Sequence, residues 1–201
     1  VSDFNSGGTR LTVLAVCEAN LCVSPLTEFL LRADCAKRGI DLRVSSAGLW
    51  ATPGQPMHPS TRKLLQDDFK IDVGEWRTTS VDPDMIERSD LILAATANDR
   101  GEVIGAVPAV LKRTFSLLDW ARIAPLIGQL PMTSAEFRAE LPHLVAEARG
   151  HLQPVLGGTD LDSFAGRRYS AFRAEGATIA RATESAVRPF RGAATSAAHR
   201  D

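Results

Sequence analysis

Leu11-Thr12-Val13-Leu14-Ala15-Val16-Cys17-Glu18-Ala19-Asn20-Leu21-Cys22-Val23-Ser24-Pro25 is the stretch on which the fold turns. Residues 11–16 form a short, nearly continuous apolar run. That pattern fits a strand buried on both faces, as parallel sheets require. Beyond the polar turn, Leu26, Phe29, Leu30 and Ala33 recur at helical spacing. Ser24 reads as the cap of that helix, Pro25 as its first residue and Gly39 as its stop. Cys17 therefore stands between a strand end and a helix N-terminus, where backbone N–H groups converge and the helix dipole favours negative charge. The expectation is a thiol of lowered pKa, suited to attack an anionic group.

Outward from this stretch, Asp41–Ser45 reads as a second strand. Ser46-Ala47-Gly48 begins a loop that runs through Pro53-Gly54-Gln55-Pro56, and Pro59 opens a helix carrying Leu64, Leu65 and Phe69. Asp90–Ala95 is the clearest buried strand and Arg113–Leu117 a weaker fourth. Between residues 127 and 158 the periodicity fades. Thr133 with Glu136 has the form of a capping box, and Pro142 is expected to break or kink the helix it starts. A last helix spans about Arg168 to Val187. Strands separated by helices imply right-handed βαβ units and a mostly parallel sheet. Residues 1–10, with Gly7-Gly8, are expected to be disordered. Residues 11–190 read as one α/β domain and 191–201 as a flexible tail. No internal repeat is visible.

The bulk numbers narrow the function. With 44% hydrophobic and 23% charged residues the chain is globular in composition. A net charge of −1 gives no field to hold nucleic acid or an anionic membrane. The longest apolar runs reach about half of the roughly 20 residues a membrane span needs. Cys17, Cys22 and Cys35 are too few for a disulfide framework and are not spaced as zinc ligands, so no metal or cofactor is expected. No secretory-type segment precedes the first strand, and a cytoplasmic location is the expectation.

The stretch around Cys17 resembles the signature of the low-molecular-weight protein tyrosine phosphatases: Cys, two residues, Asn, a residue, often a second Cys, then Arg-Ser-Pro. The resemblance continues along the chain. Ser46-Ala47-Gly48 followed by Gly54-Gln55-Pro56-Met57-His58-Pro59 is similar to a Ser-Ala-Gly…Gly-x-Pro-x-Asp-Pro stretch, with His58 at the Asp position. Trp76-Arg77 falls where the family often has His-Arg. Asp90-Leu91-Ile92-Leu93 with Thr96, Pro108 with Arg113–Leu117, and Leu161-Asp162-Ser163-Phe164 also match, the last resembling a Pro-Asp-Pro-aromatic motif. The likeness covers residues 11–187 in order. It implies a flavodoxin-like four-stranded parallel sheet with helices on both faces and a site at the strand C-termini.

The resemblance also implies roles. Cys17 would attack phosphorus and form a thiophosphate. An aspartic acid, Asp162 or its neighbour Asp160, would protonate the leaving oxygen, and water would then release phosphate. Asn20 would brace the loop, and its type tolerates positive φ. Ser24 would donate to the thiolate. Cys22 would be the second loop cysteine, able to shield Cys17 through a reversible disulfide or merely to fill space beneath the loop. Trp50 would line the substrate cleft, Tyr169 and Phe172 would pack the last helix, and His58 would be a surface cap. Asp67-Asp68 and Arg167-Arg168 read as solvated. The expected substrate is a phosphorylated protein or a small aryl phosphate, with no nucleic acid and no membrane.

Two residues depart from the pattern. The family's arginine, six residues after the nucleophile, is Val23 here. That arginine should be bidentate to two phosphate oxygens. By analogy with other phosphoryl-transfer arginines its loss costs roughly 10³–10⁵ in rate. Glu18 follows the nucleophile directly, where a neutral residue is usual. At about 6 Å a carboxylate repels each phosphate charge by roughly 3 kcal/mol at an effective dielectric near 20. Glu18 is also expected to raise the Cys17 pKa. Three readings stand: a hydrolase of weak or altered activity, with Arg77, Arg167 or Arg168 as surrogate arginine; a pseudophosphatase that binds a protein partner or a less charged ligand; or a thiol enzyme acting on a different electrophile.

Overall fold

The computed structural model describes residues 10–131, 133–153, 160–161 and 167–190. Asp162 and the terminal segments 1–9 and 191–201, on which several expectations fall, lie outside the described residues. Arg10, expected to be disordered, is held: its guanidinium lies 2.7 Å from Asp41 Oδ1 and 3.3 Å from the Leu42 carbonyl.

Strands β1 (Thr12–Cys17), β2 (Arg43–Gly48), β3 (Leu91–Ala94) and β4 (Thr114–Ser116) pair in parallel in the order β2-β1-β3-β4. This is the expected flavodoxin-like sheet. Helices α1 (Val23–Arg38), α2 (Pro59–Lys63), α3 (Pro83–Arg88), α4 (Ala97–Ala106), α5 (Leu117–Ile123), α6 (Ser134–Gly150) and α7 (Tyr169–Ala186) cover it. Side chains alternate across the pleat. Val13, Leu91 and Leu93 face Leu26 and Leu30 of α1, Trp120 of α5 and Ile179 of α7. Leu14, Val16 and Ile92 face Ile86 of α3 and Val103 of α4. Both sheet faces are thus covered, which is why these strands read as unbroken apolar runs.

The register places the site. Cys17, the last residue of β1, pairs with Gly48, the last of β2. From β1 the sheet grows to β2 on one side and to β3 on the other, so the chain reverses its winding at the C-terminal end of β1. Ligands bind open α/β sheets at such switch points.

Three local expectations change. Helix α1 begins at Val23, with Cys22 in the capping position and no side-chain cap bond, so Ser24 and Pro25 lie inside the first turn. The Ser24 hydroxyl is engaged elsewhere. Helix α6 is not broken at Pro142 but continues through it to Gly150. Proline inside a helix costs about 3 kcal/mol. Phe137 and Leu141 before it, and Val145 and Ala148 after it, are buried on one stripe. Each large apolar side chain so buried contributes roughly 1.5–3 kcal/mol, which outweighs the proline. Helices α3, α4 and α5 are short elements beyond those expected from the sequence. Each is started by a side chain, Asp82, Thr96 or Ser116, that accepts a bond from the first turn. Among the described residues no helix is long and apolar enough to cross a membrane.

Candidate active site

The loop after β1 turns sharply at Asn20, whose φ is 54°. Asparagine is one of the few residue types that tolerate this left-handed conformation. Its side chain then ties the loop down. Thr79 N–H donates to Asn20 Oδ1 at 2.8 Å, which fixes the orientation of the amide. Both hydrogens of Nδ2 are therefore donated, to Ser24 Oγ at 2.9 Å and Ser46 Oγ at 3.0 Å. The Ser46 hydroxyl in turn donates a hydrogen bond to Glu28 Oε2 at 2.6 Å.

Ser24 Oγ lies 2.9 Å from Cys17 Sγ and 3.4 Å from the Ala47 carbonyl. Because Ser24 already accepts from Asn20, its hydrogen is free for one of these two acceptors. With the sulfur protonated it can reach Ala47. With the sulfur ionised it donates to the thiolate, the stronger, charge-assisted bond. The backbone N–H groups of Ser24 and Asn20 also favour the ionised sulfur.

These donors do not yield a low pKa in the free protein. Burial pushes the Cys17 thiol up, the Ser24 hydroxyl and the two N–H groups pull it down, and the Asp99 carboxylate pushes it up again. Burial prevails, and the expectation of a lowered pKa is corrected: Cys17 is only 7% exposed. The negative charge felt by Cys17 is that of Asp99, where the sequence reading pointed to Glu18.

Cys17 lies at the base of a cleft of about 330 Å³ whose walls include Glu18, Val23, Trp50, Thr96, Asp99 and Leu161. Cys22 also lines it and is buried, with the Thr61 hydroxyl beside its thiol; burial takes that thiol up to about 11. Trp50, 72% exposed, stands at the rim, held by a bond from its N–H to the Glu18 carbonyl at 2.8 Å. Among the described residues no lysine, arginine or histidine lines the cleft. Arg77 is turned to Glu75, 3.0 Å away, and to the Trp76 carbonyl. Arg167 and Arg168 are exposed and do not line it either. His58 caps α2 by accepting from Ser60 N–H and stacks on Phe172, which is buried in the core; Tyr169 packs partly buried against it.

Residues the sequence reading passed over complete the arrangement. Glu28, 4% exposed, receives Ser46, the Trp76 indole N–H at 3.2 Å and the Arg32 guanidinium at 3.1 Å. Burial raises its pKa, and Arg32, Ser46 and Trp76 oppose that rise. The available signal was a carboxylate one helical turn after Ser24 on the apolar face of α1. Asp99 closes a capping box with Thr96 at the start of α4. Burial raises its pKa against the pull of Thr96, and the Glu18 and Asp160 charges raise it further. Leu161 N–H donates to the Ala95 carbonyl at 3.0 Å, and Asp160 accepts from Ala97 N–H at 2.7 Å. Asp160 is thus occupied at the N-terminus of α4, while Asp162 lies outside the described residues. Among the described residues no cluster of histidine, cysteine and carboxylate side chains could hold a metal ion.

The same arrangement of thiol loop and sheet is shared with known proteins. The family model for low molecular weight phosphotyrosine protein phosphatase matches residues 12–125. The probable low molecular weight protein-tyrosine-phosphatase EpsP of Ralstonia nicotianae is 32% identical over 106 residues, which cover 53% of this chain and 70% of that protein. The protein-arginine-phosphatase of Bacillus subtilis is 24% identical over 111 residues, 55% of this chain and 72% of the relative. In structure, the low molecular weight protein tyrosine phosphatase from T. tengcongensis superposes with a TM-score of 0.68 at 19% identity, covering 88% of this chain and 97% of that one. By the match of its first four strands and of the loop after β1, the chain belongs to the low molecular weight phosphotyrosine protein phosphatase family.

Proposed function

We propose that the chain is a cysteine-dependent phosphatase in which Cys17 is the nucleophile, with weak turnover of aryl phosphates. The 2.9 Å contact between Cys17 Sγ and Ser24 Oγ, in a loop braced by Asn20, carries this reading. It is a device for stabilising a thiolate, and a merely structural buried cysteine has no use for it. In the first step the thiolate attacks phosphorus, the S–P bond forms and the P–O bond to the leaving group breaks. The leaving oxygen takes a proton from an acid, for which Asp162 is the candidate because Asp160 serves α4. Water then attacks the thiophosphate, the S–P bond breaks and orthophosphate leaves. The substrate is a phosphorylated protein side chain; phosphotyrosine and phosphoarginine, the substrates implied by the relatives' names, are the two candidates.

The weakness has a physical cause. Val23 offers no donor to the phosphoryl oxygens, and two carboxylates line the cleft. This favours one second reading, a pseudophosphatase that binds a protein partner through the same cleft. Release of inorganic phosphate from an aryl phosphate, the unaltered chain beside Cys17→Ser, separates the two. Release that disappears with Cys17→Ser supports the enzyme. Equal background rates for both proteins support the binding module.

A further inference from the structure

The cleft is chemically two-sided. At its base the Ser24 hydroxyl lies 2.9 Å from the sulfur and the Asn20 and Ser24 N–H groups favour its ionised form, a setting for an anion. Above that base every charged side chain is a carboxylate. Glu18 comes from the loop after β1 and Asp99 from the first turn of α4, and both line the cleft. The two are close enough for the Glu18 charge to act on Asp99, and Asp160, at the start of the same helix, acts on it as well. Among the described residues no cation lines the cleft to balance them. A ligand that is negative throughout meets repulsion on its way to the base. A ligand with an anionic phosphoryl group and a cationic neighbour is matched at both levels.

We propose that Glu18 and Asp99 are specificity-determining residues, which make this cleft prefer a phosphoryl group borne on a cationic nitrogen, as in a phosphorylated guanidinium, over one borne on an uncharged aromatic oxygen. The proposal rests on the reading of the Cys17 loop as a phosphoryl site and names the substrate class of that site. The chemistry agrees with the missing arginine. When the Cys17 thiolate attacks phosphorus, the S–P bond forms and the P–N bond breaks. The electron pair of that bond passes into the guanidinium, which leaves as a neutral guanidine and takes up a proton from water afterwards. The leaving group supplies the positive charge that the loop lacks, and the two carboxylates hold that charge until the bond breaks. Water then cleaves the S–P bond and releases orthophosphate. Trp50 at the rim accepts a guanidinium face or an aromatic ring alike and does not discriminate between them.

Binding to the Cys17→Ser protein tests selectivity with no turnover to confuse it. The probes are phosphoarginine blocked as its N-acetyl amide, and phenyl phosphate, each titrated calorimetrically near neutral pH. The expected result is at least about tenfold tighter binding of the blocked phosphoarginine, the size of effect one favourable charge contact gives in a partly desolvated cleft. Adding Glu18→Gln, an exposed position that leaves folding intact, should reduce that preference at least about threefold, and Asp99→Asn on top should bring it close to unity. Equal affinities, a preference for phenyl phosphate, a preference unchanged in the double variant, or no binding of either probe at millimolar concentration would overturn the proposal. Phosphate release by the unaltered chain is scored separately. Selective binding without any release removes the hydrolase reading and leaves the selectivity standing. Release without selective binding does the reverse.

Discussion

At the scale of single residues the site is decided by where one proton goes. Asn20 donates to both Ser24 and Ser46, so the Ser24 hydrogen is available to the sulfur. Ser24→Ala removes the largest influence that lowers the Cys17 pKa, and burial and Asp99 then act with less opposition. The pKa rises further, so alkylation of Cys17 by iodoacetamide at a fixed pH below that pKa should slow by about tenfold, the effect of one pH unit on the thiolate fraction. The pH–rate profile should move to higher pH, and an unchanged profile would show that the hydroxyl does not serve the thiolate. Cys17, Asn20 and Ser24 are legible in the sequence because they lie within eight residues and their spacing follows from one turn. Glu28 and Asp99 are not. Glu28 becomes an anchor only when Ser46, 18 residues away, and Trp76, 48 residues away, are folded against it. Asp99 reaches the cleft only because β3 lies beside β1.

At the scale of elements, β2 shapes the loop as much as α1 does. Its last residue, Gly48, pairs with Cys17, and a Cβ there would come within 2.7 Å of the Asn20 nitrogen and 2.8 Å of the Ala19 carbonyl carbon. Both atoms are backbone, so the loop itself would have to shift. Gly48→Ala should cost about 1–3 kcal/mol by overpacking. In a chain of this size that lowers the melting temperature by several degrees, at about 2–4 °C per kcal/mol. Cys17 alkylation should change along with stability, because the Asn20 bonds move. A Gly48→Ala protein with the parent's melting temperature and thiol reactivity would contradict the contact. The four strands, α1 and α7 are readable from the chain because burial on two faces, or on one helical stripe, leaves a periodic record. Helices α3 to α5 are short and held by caps, so the record they leave is brief. The passage of α6 through Pro142 follows from its buried stripe, which no local rule about proline contains.

At the scale of the whole molecule, three buried thiols set a pH dependence. Burial takes Cys22 and Cys35 from the ordinary 9.0 up to about 11 and also raises Cys17. Between about pH 9 and pH 11 the folded chain keeps protons that the unfolded chain has lost. The stability that Cys22 and Cys35 confer is therefore intact below pH 9 and declines as the pH climbs through that window, by on the order of 1 kcal/mol for each of the two near pH 10. Denaturant midpoints measured across this range should fall with pH, and Cys35→Ala should make the fall shallower. An identical slope in that variant would contradict this account of Cys35.

With Cys17 as the proposed nucleophile in a folded loop, the main defect is the cationic fork absent at residue 23. Val23→Arg in the otherwise unaltered chain tests it most directly, with the rate of p-nitrophenyl phosphate hydrolysis as the readout. The expected gain is at least about 10²-fold, a conservative part of what such arginines supply. That gain should vanish when Cys17→Ser is added. A folded Val23→Arg protein that hydrolyses the ester no faster than the unaltered chain would contradict the claim.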